Sequence, residues 1–156
     1  MTQKMISLKP ISPADKETQR LISKLNAFNL SLYTADQCHL ESPEQLINHK
    51  ADMVGAYLGG RLTGIGALKQ MEGYAEVKRM FVEEDQRGKG IAEKILTALE
   101  EIAAKNGNHL VRLETGSRHT AAIKFYTRMG YYRIKQFGDY PVNDVSVLME
   151  KNINRI

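Results

Sequence analysis

Between positions 82 and 106 the sequence reads Val82-Glu83-Glu84-Asp85-Gln86-Arg87-Gly88-Lys89-Gly90-Ile91-Ala92 and then an amphipathic run to Asn106. Gly88 and Gly90 carry no side chain, so a ligand can reach main-chain N–H groups that have no acceptor inside the helix they open. Arg87 and Lys89 add positive charge at the end where a helix dipole is already positive. The chemistry this suits is anion binding, above all of phosphate. A tight strand-to-helix turn would ask for glycine on steric grounds alone, so the pair by itself also admits that plainer reading. The common nucleotide loops fit poorly: there is no Gly-x-x-x-x-Gly-Lys-Ser/Thr, and Glu93 stands where a dinucleotide fingerprint needs its third glycine. ATP and NAD are therefore disfavoured. Cys38 is the single cysteine, which excludes an internal disulfide and a multi-cysteine metal site. Its neighbour His39 is adjacent only in sequence, so a catalytic thiol has little support.

A chain of 156 residues, 42% hydrophobic, is long enough for one real core and is read as a single domain over residues 1–156. The net charge of +4 suits a phosphate-bearing ligand and falls short of a nucleic-acid stripe. No apolar leader and no long apolar span are visible, so the expectation is a soluble cytoplasmic protein that does not enter a membrane.

The glycine turn must be held by regular elements, and the periodicity supplies them. Met5 to Lys9 alternates as a first strand. Ser12-Pro13-Ala14-Asp15 reads as a capping box opening a helix to about Asn29 that buries Leu21, Ile22 and Leu25. Residues 30–41 carry no period and are expected to form a loop. Ser42-Pro43-Glu44-Gln45 caps a short helix through Leu46 and Ile47. Met53 to Leu58 and Leu62 to Lys69 flank Gly59-Gly60-Arg61 as a hairpin. In the fourth strand, Glu76 to Val82, alternation puts Glu76, Lys78, Met80 and Val82 on one face and Val77, Arg79 and Phe81 on the other. The helix after Gly90 has apolar residues at 91, 92, 95, 96, 99, 102 and 103, one buried stripe, and stops at Asn106-Gly107. A fifth strand, His109 to Glu114, then lies parallel to the fourth across that helix. Thr115-Gly116-Ser117 is a loop, Thr120 to Met129 a helix closed by Gly130, and Tyr131 to Ile134 and Val145 to Glu150 are two last strands.

Gln86-Arg87-Gly88-Lys89-Gly90-Ile91-Ala92 and Ala122-Ile123-Lys124-Phe125-Tyr126-Thr127-Arg128-Met129-Gly130-Tyr131, in this order and with these strands around them, resemble the GNAT superfamily of N-acetyltransferases. The strings Lys78-Arg79-Met80-Phe81-Val82, Leu113-Glu114-Thr115-Gly116 and Phe137-Gly138-Asp139-Tyr140 resemble a bacterial subgroup of that family whose substrate is poorly defined. The resemblance implies an α/β fold: a mixed, largely antiparallel seven-stranded sheet flanked by about four helices, with the fourth and fifth strands splayed around acetyl-CoA. The main chain of Met80, Phe81 and Val82 would pair with the pantetheine arm, and the amides of Arg87, Gly88, Lys89, Gly90, Ile91 and Ala92 would hold the pyrophosphate.

Acetyl transfer needs a neutral amine, donors for the developing oxyanion and a proton for the departing thiolate. Tyr126 matches the family tyrosine beside the coenzyme sulfur and is assigned as proton donor. Glu76 is the candidate base, directly or through water, and could equally be a solvated strand residue beside Lys78. His119 stands where the family often has an asparagine on the pantetheine; it either replaces that contact or caps the following helix. Tyr33, His39, Arg79, Arg112 and Tyr140 are candidates for the acceptor pocket, and an arginine there would favour a carboxylate-bearing acceptor. The implied partner is a small-molecule or peptide amine, with no metal and no nucleic acid, and a homodimer stays open. The alternative is a non-catalytic acyl-CoA-binding sensor or interaction module.

Overall fold

The computed structural model describes residues 5–34, 37, 43–48 and 50–154. Its centre is a seven-stranded sheet in the order β1-β2-β3-β4-β5-β7-β6. The strands are β1 (Ile6–Ile11), β2 (Asp52–Leu58), β3 (Arg61–Gln70), β4 (Ala75–Val82), β5 (Leu110–Gly116), β6 (Tyr132–Ile134) and β7 (Ser146–Asn152). Among the described residues there are four α-helices: α1 (Lys16–Leu32), α2 (Pro43–Asn48), α3 (Ile91–Lys105) and α4 (Thr120–Arg128). All strand pairs are antiparallel except β4 with β5, which α3 joins. This is the mixed α/β architecture that the resemblance implies.

α3 packs on one face of the sheet and α1 with α2 on the other. Ile91, Ile95, Leu96, Leu99 and Ala103 are buried against Leu68, Val77, Val111 and Leu113, each large side chain contributing about 2 kcal/mol of apolar burial. α3 lies close because β3 presents glycines to it: a Cβ on Gly66 would come within 2.6 Å of Ile95 and 2.7 Å of the Met80 sulfur. On the opposite face Leu21, Ile22, Leu46, Met53, Leu62, Ile65 and Ala67 form the second cluster. Between β2 and β3, Gly59 and Gly60 both take positive φ, the hairpin geometry expected of that pair.

Four local expectations change. The Ser12–Asp15 pair does form, with Asp15 accepting from the Ser12 amide at 3.0 Å and Ser12 Oγ from the Ala14 amide at 3.1 Å. It shapes the turn before α1, however, and the helix begins only at Lys16. α1 also continues to Leu32, into what reads as loop, because contacts distant in sequence hold its end: Arg118 Nη1 donates to the Leu32 carbonyl at 2.6 Å. Ser42, the expected cap of α2, lies outside the described residues, as do Cys38 and His39. β5 runs on through Thr115 and Gly116, pairing with Val147 and Ser146 of β7.

The fourth change concerns β4. Residues 79 and 80 together oppose Gly66 of β3, a bulge at which Arg79 takes φ +58°. The extra residue reverses the alternation. Val77, Met80 and Val82 all pack against the α3-side core, whereas Phe81 joins the α1 side and Arg79 Nη2 donates to Asn26 of α1 at 2.7 Å. Parallel pairing with β5 stops at Val77 and Leu113, leaving Lys78 to Val82 without a strand neighbour on that side. The two strands diverge there.

Candidate active site

Two cavities meet where β4 and β5 part. The larger, of about 860 Å³, is bounded by Met80, Phe81 and Val82, by the turn from Arg87 to Ala92, and by α4. The smaller, of about 140 Å³, is bounded by Tyr33, Lys78, Arg79, Glu114 and Tyr140. Leu25, Met80, His119, Ala122 and Tyr126 belong to both. Positions 119, 122 and 126 share one helical face, so a single stripe of α4 forms the common wall.

At the outer end, Gly88 and Gly90 have φ of +82° and +79°, and a Cβ on either would meet nothing within 4 Å. Steric crowding within the protein therefore does not explain them; the left-handed backbone does, and the space beside them is open. The first intrahelical bond of α3 is Lys94 N–H to the Gly90 carbonyl at 3.2 Å. The Ile91, Ala92 and Glu93 amides therefore precede the helical ladder and point out of its N-terminus. Ile91 buries its side chain and can offer a ligand only its main chain. Arg87 Nε donates to the Val82 carbonyl at 3.2 Å, and its guanidinium lies 5.9 Å from the Phe28 ring centroid and 5.8 Å from that of Phe81. Lys89 Nζ donates to Gln86 Oε1 at 2.8 Å, outside the cleft lining. Arg118 and Arg128 add charge along the wall, Arg128 pairing with Glu93 at 3.2 Å.

Tyr126 stands at the junction, 8% exposed, with its ring against Phe125 and Tyr131. Burial pushes its hydroxyl well above the ordinary phenol range. Among the described residues that hydroxyl has no hydrogen-bond partner. The His119 ring lies at 5.1 Å from Phe28 and 5.6 Å from Tyr33. His119 occupies the N-cap position of α4 but makes no side-chain cap bond, and among the described residues its buried Nε2 has no partner. Burial lowers its pKa, favouring the neutral imidazole. Capping does not account for it.

Glu76 is 4% exposed and lines neither cavity. The Tyr140 hydroxyl donates to Glu76 Oε2. Lys78 Nζ donates to the same carboxylate oxygen at 3.4 Å and to the Tyr140 oxygen at 3.0 Å. Of the acceptor-pocket candidates, Tyr33, Arg79 and Tyr140 line the smaller cavity. The Tyr33 oxygen accepts from the Arg118 amide at 2.6 Å. Arg112 lines neither cavity: its Nε donates to Glu150 at 2.7 Å and its guanidinium stacks on Tyr74. His39 lies outside the described residues. Lys78, Glu114 and Arg118 line the cavities without having been singled out in the sequence. For Lys78 and Glu114 the signal was available, since both sit on the strands flanking the expected gap. Among the described residues no cluster of His, Cys, Asp and Glu could hold a metal ion, and no helix is long and apolar enough to cross a membrane.

A sheet wedged open beside a glycine-opened helix is the architecture of an acyl-CoA-dependent transferase. The chain belongs to the acetyltransferase (GNAT) family, whose pattern matches residues 19–131. It is 32% identical over 142 residues to an IAA acetyltransferase of Azospirillum brasilense, covering 90% of this chain and 93% of that protein. A crystal structure from Klebsiella pneumoniae, described as an acyl-CoA N-acyltransferase, superposes with a TM-score of 0.82 at 33% identity, covering 96% and 98% of the two chains. The PaiA N-acetyltransferase of Thermoplasma acidophilum, solved in complex with coenzyme A, shares the fold at a TM-score of 0.74 and 21% identity, covering 95% and 99%. The protein is an N-acetyltransferase by family.

Proposed function

We propose that this protein moves an acetyl group from acetyl-CoA to a primary amine of a small molecule or peptide, by direct attack of the amine on the thioester. The observation that carries the reading is continuity: one cleft leads from the bare amides of α3 to Tyr126, where a smaller polar pocket meets it. The open space beside Gly88 and Gly90 suits a diphosphate on the amides of Arg87 to Ala92, with the Arg87 and Lys89 charges nearby. The main-chain edge of Met80, Phe81 and Val82 suits the pantetheine amides as an added strand would. The Nε2 of His119 supports a contact to the same arm.

Acetyl-CoA supplies the activated carbonyl, and the chain orients the amine against it. Tyr126 keeps its proton at neutral pH and gives it to sulfur as the carbon–sulfur bond breaks. Glu76 is the base on the acceptor side. Tyr33, Arg79 and Tyr140 hold the acceptor; Arg112, tied to Glu150, acts on the site only through β5. His39 keeps its place among the acceptor candidates.

The test is thiol release from acetyl-CoA across amino acids, polyamines, aminoglycosides and peptide N-termini. Tyr126→Phe should lower kcat by about 10²-fold while calorimetry finds acetyl-CoA affinity little changed. An unaltered rate would remove Tyr126 from the mechanism. Coenzyme binding without thiol release from any amine would instead favour a binding module.

A further inference from the structure

We propose that Tyr140 relays the proton from the acceptor amine to Glu76, with Lys78 setting the direction of transfer. The inference rests on the acetyl-transfer reading above. A base must come within hydrogen-bond reach of the proton it removes, yet Glu76 is 4% exposed and lines neither cavity. Tyr140 and Lys78 both line the acceptor pocket and both contact the Glu76 carboxylate.

The hydrogen positions follow from donor chemistry. A lysine ammonium only donates, so the Tyr140 oxygen is the acceptor of the 3.0 Å bond from Lys78. The phenol hydrogen is then directed onto Glu76 Oε2. The Lys78 and Glu76 side chains are 11% and 5% exposed, so the ammonium offsets the carboxylate charge where water does so poorly. Tyr140 is held in place by its ring against Phe137 at 5.1 Å and by Gln136 Nε2, which donates to its carbonyl at 3.2 Å.

The step balances as two coupled proton transfers. The ammonium N–H breaks as a proton moves to the Tyr140 oxygen, and the original Tyr140 O–H breaks as its proton moves to Glu76. The amine is left neutral with its lone pair free to attack. Glu76 returns its proton to solvent between turnovers. The second nitrogen proton leaves as the amide forms and replaces the one that Tyr126 gives to sulfur.

The experiment compares wild type, Tyr140→Phe, Glu76→Gln and the double variant in acetyl-CoA thiol release with two probe amines, glycinamide and putrescine, whose ammonium groups differ in acidity. For Tyr140→Phe, kcat should fall by about 10²-fold with putrescine and by much less with the more acidic glycinamide. The low-pH limb should move to each amine's own pKa. Glu76→Gln should reproduce that profile, and the double variant should be no worse than either single one, as for residues acting as a unit. Calorimetric acetyl-CoA affinity and the unfolding temperature, unchanged in Tyr140→Phe, would confirm an intact fold. An unmoved pH limb, or equal losses with both amines, would overturn the relay and leave the transferase reading standing. Wild type that binds acetyl-CoA but releases no thiol with any amine would overturn both.

Discussion

Gly90→Ala, measured against Gly60→Ala, separates the role of a left-handed backbone from that of ligand space. Gly60 in the β2–β3 hairpin and Gly90 at the start of α3 have the same φ of +79°, and a Cβ on either would meet no protein atom within 4 Å. The two substitutions therefore carry the same backbone penalty and no packing penalty, about 1–2 kcal/mol for an L-residue held in that region. For a chain of this size that corresponds to about 2–8 °C in unfolding temperature. The difference appears only with coenzyme. If the open space beside Gly90 is where the diphosphate lies, a methyl group there should weaken acetyl-CoA binding at least about tenfold, or about 1.4 kcal/mol, while Gly60→Ala leaves affinity as it was. Differential scanning calorimetry gives the first quantity and isothermal titration the second. Equal acetyl-CoA affinities for two equally destabilised variants would refute the placement of the diphosphate at this helix start.

Glu83 is buried, with Arg20, Lys24 and Arg61 around it at 2.6, 2.7 and 3.4 Å. Burial opposes its ionisation, but hydrogen bonds from Lys24 and Arg20 outweigh that and hold its carboxyl below the ordinary value of 4.5. A depressed carboxyl contributes stability that is complete above the unfolded-state pKa and is lost as pH falls through the folded one. Glu83→Gln should therefore cost about 2 kcal/mol at neutral pH, discounted because the three cations can turn to water. In urea titrations that cost should begin to shrink as pH falls past about 4.5 and disappear only below the lowered folded-state pKa, and a pH-independent difference would count against the ion cluster. Gly116→Ala should disturb the acceptor side first, because its Cβ would fall 2.5 Å from Tyr33 Cζ and push the ring off β5. The expected result is a higher KM for the amine with acetyl-CoA affinity retained; an unchanged amine KM would show that Tyr33 does not shape the pocket.

The glycine turn, the stripe of α3 and the helix bearing Tyr126 were legible because each is governed by local physics: dihedral freedom, helical period and an N-terminal dipole. The bulge was not. Nothing in Lys78-Arg79-Met80 announces that an arginine will take positive φ, and the sequence alternation consequently grouped Val77 with Arg79 and Phe81, whereas it packs with Met80 and Val82. The extra turn of α1 was hidden for a related reason, since Arg118, far along the chain, secures its end by donating to the Leu32 carbonyl and the Tyr33 hydroxyl. The seclusion of Glu76 behind Tyr140 likewise depends on a partner 64 positions away, in a segment with no period of its own.

One stripe of α4, at His119, Ala122 and Tyr126, walls both cavities. Their occupants are then not independent guests. Any tilt of that helix that improves the fit for one changes the affinity for the other, and thermodynamic reciprocity makes the factor equal in both directions. Coenzyme affinity measured with an amine present should thus report on the amine, even one too poor to react.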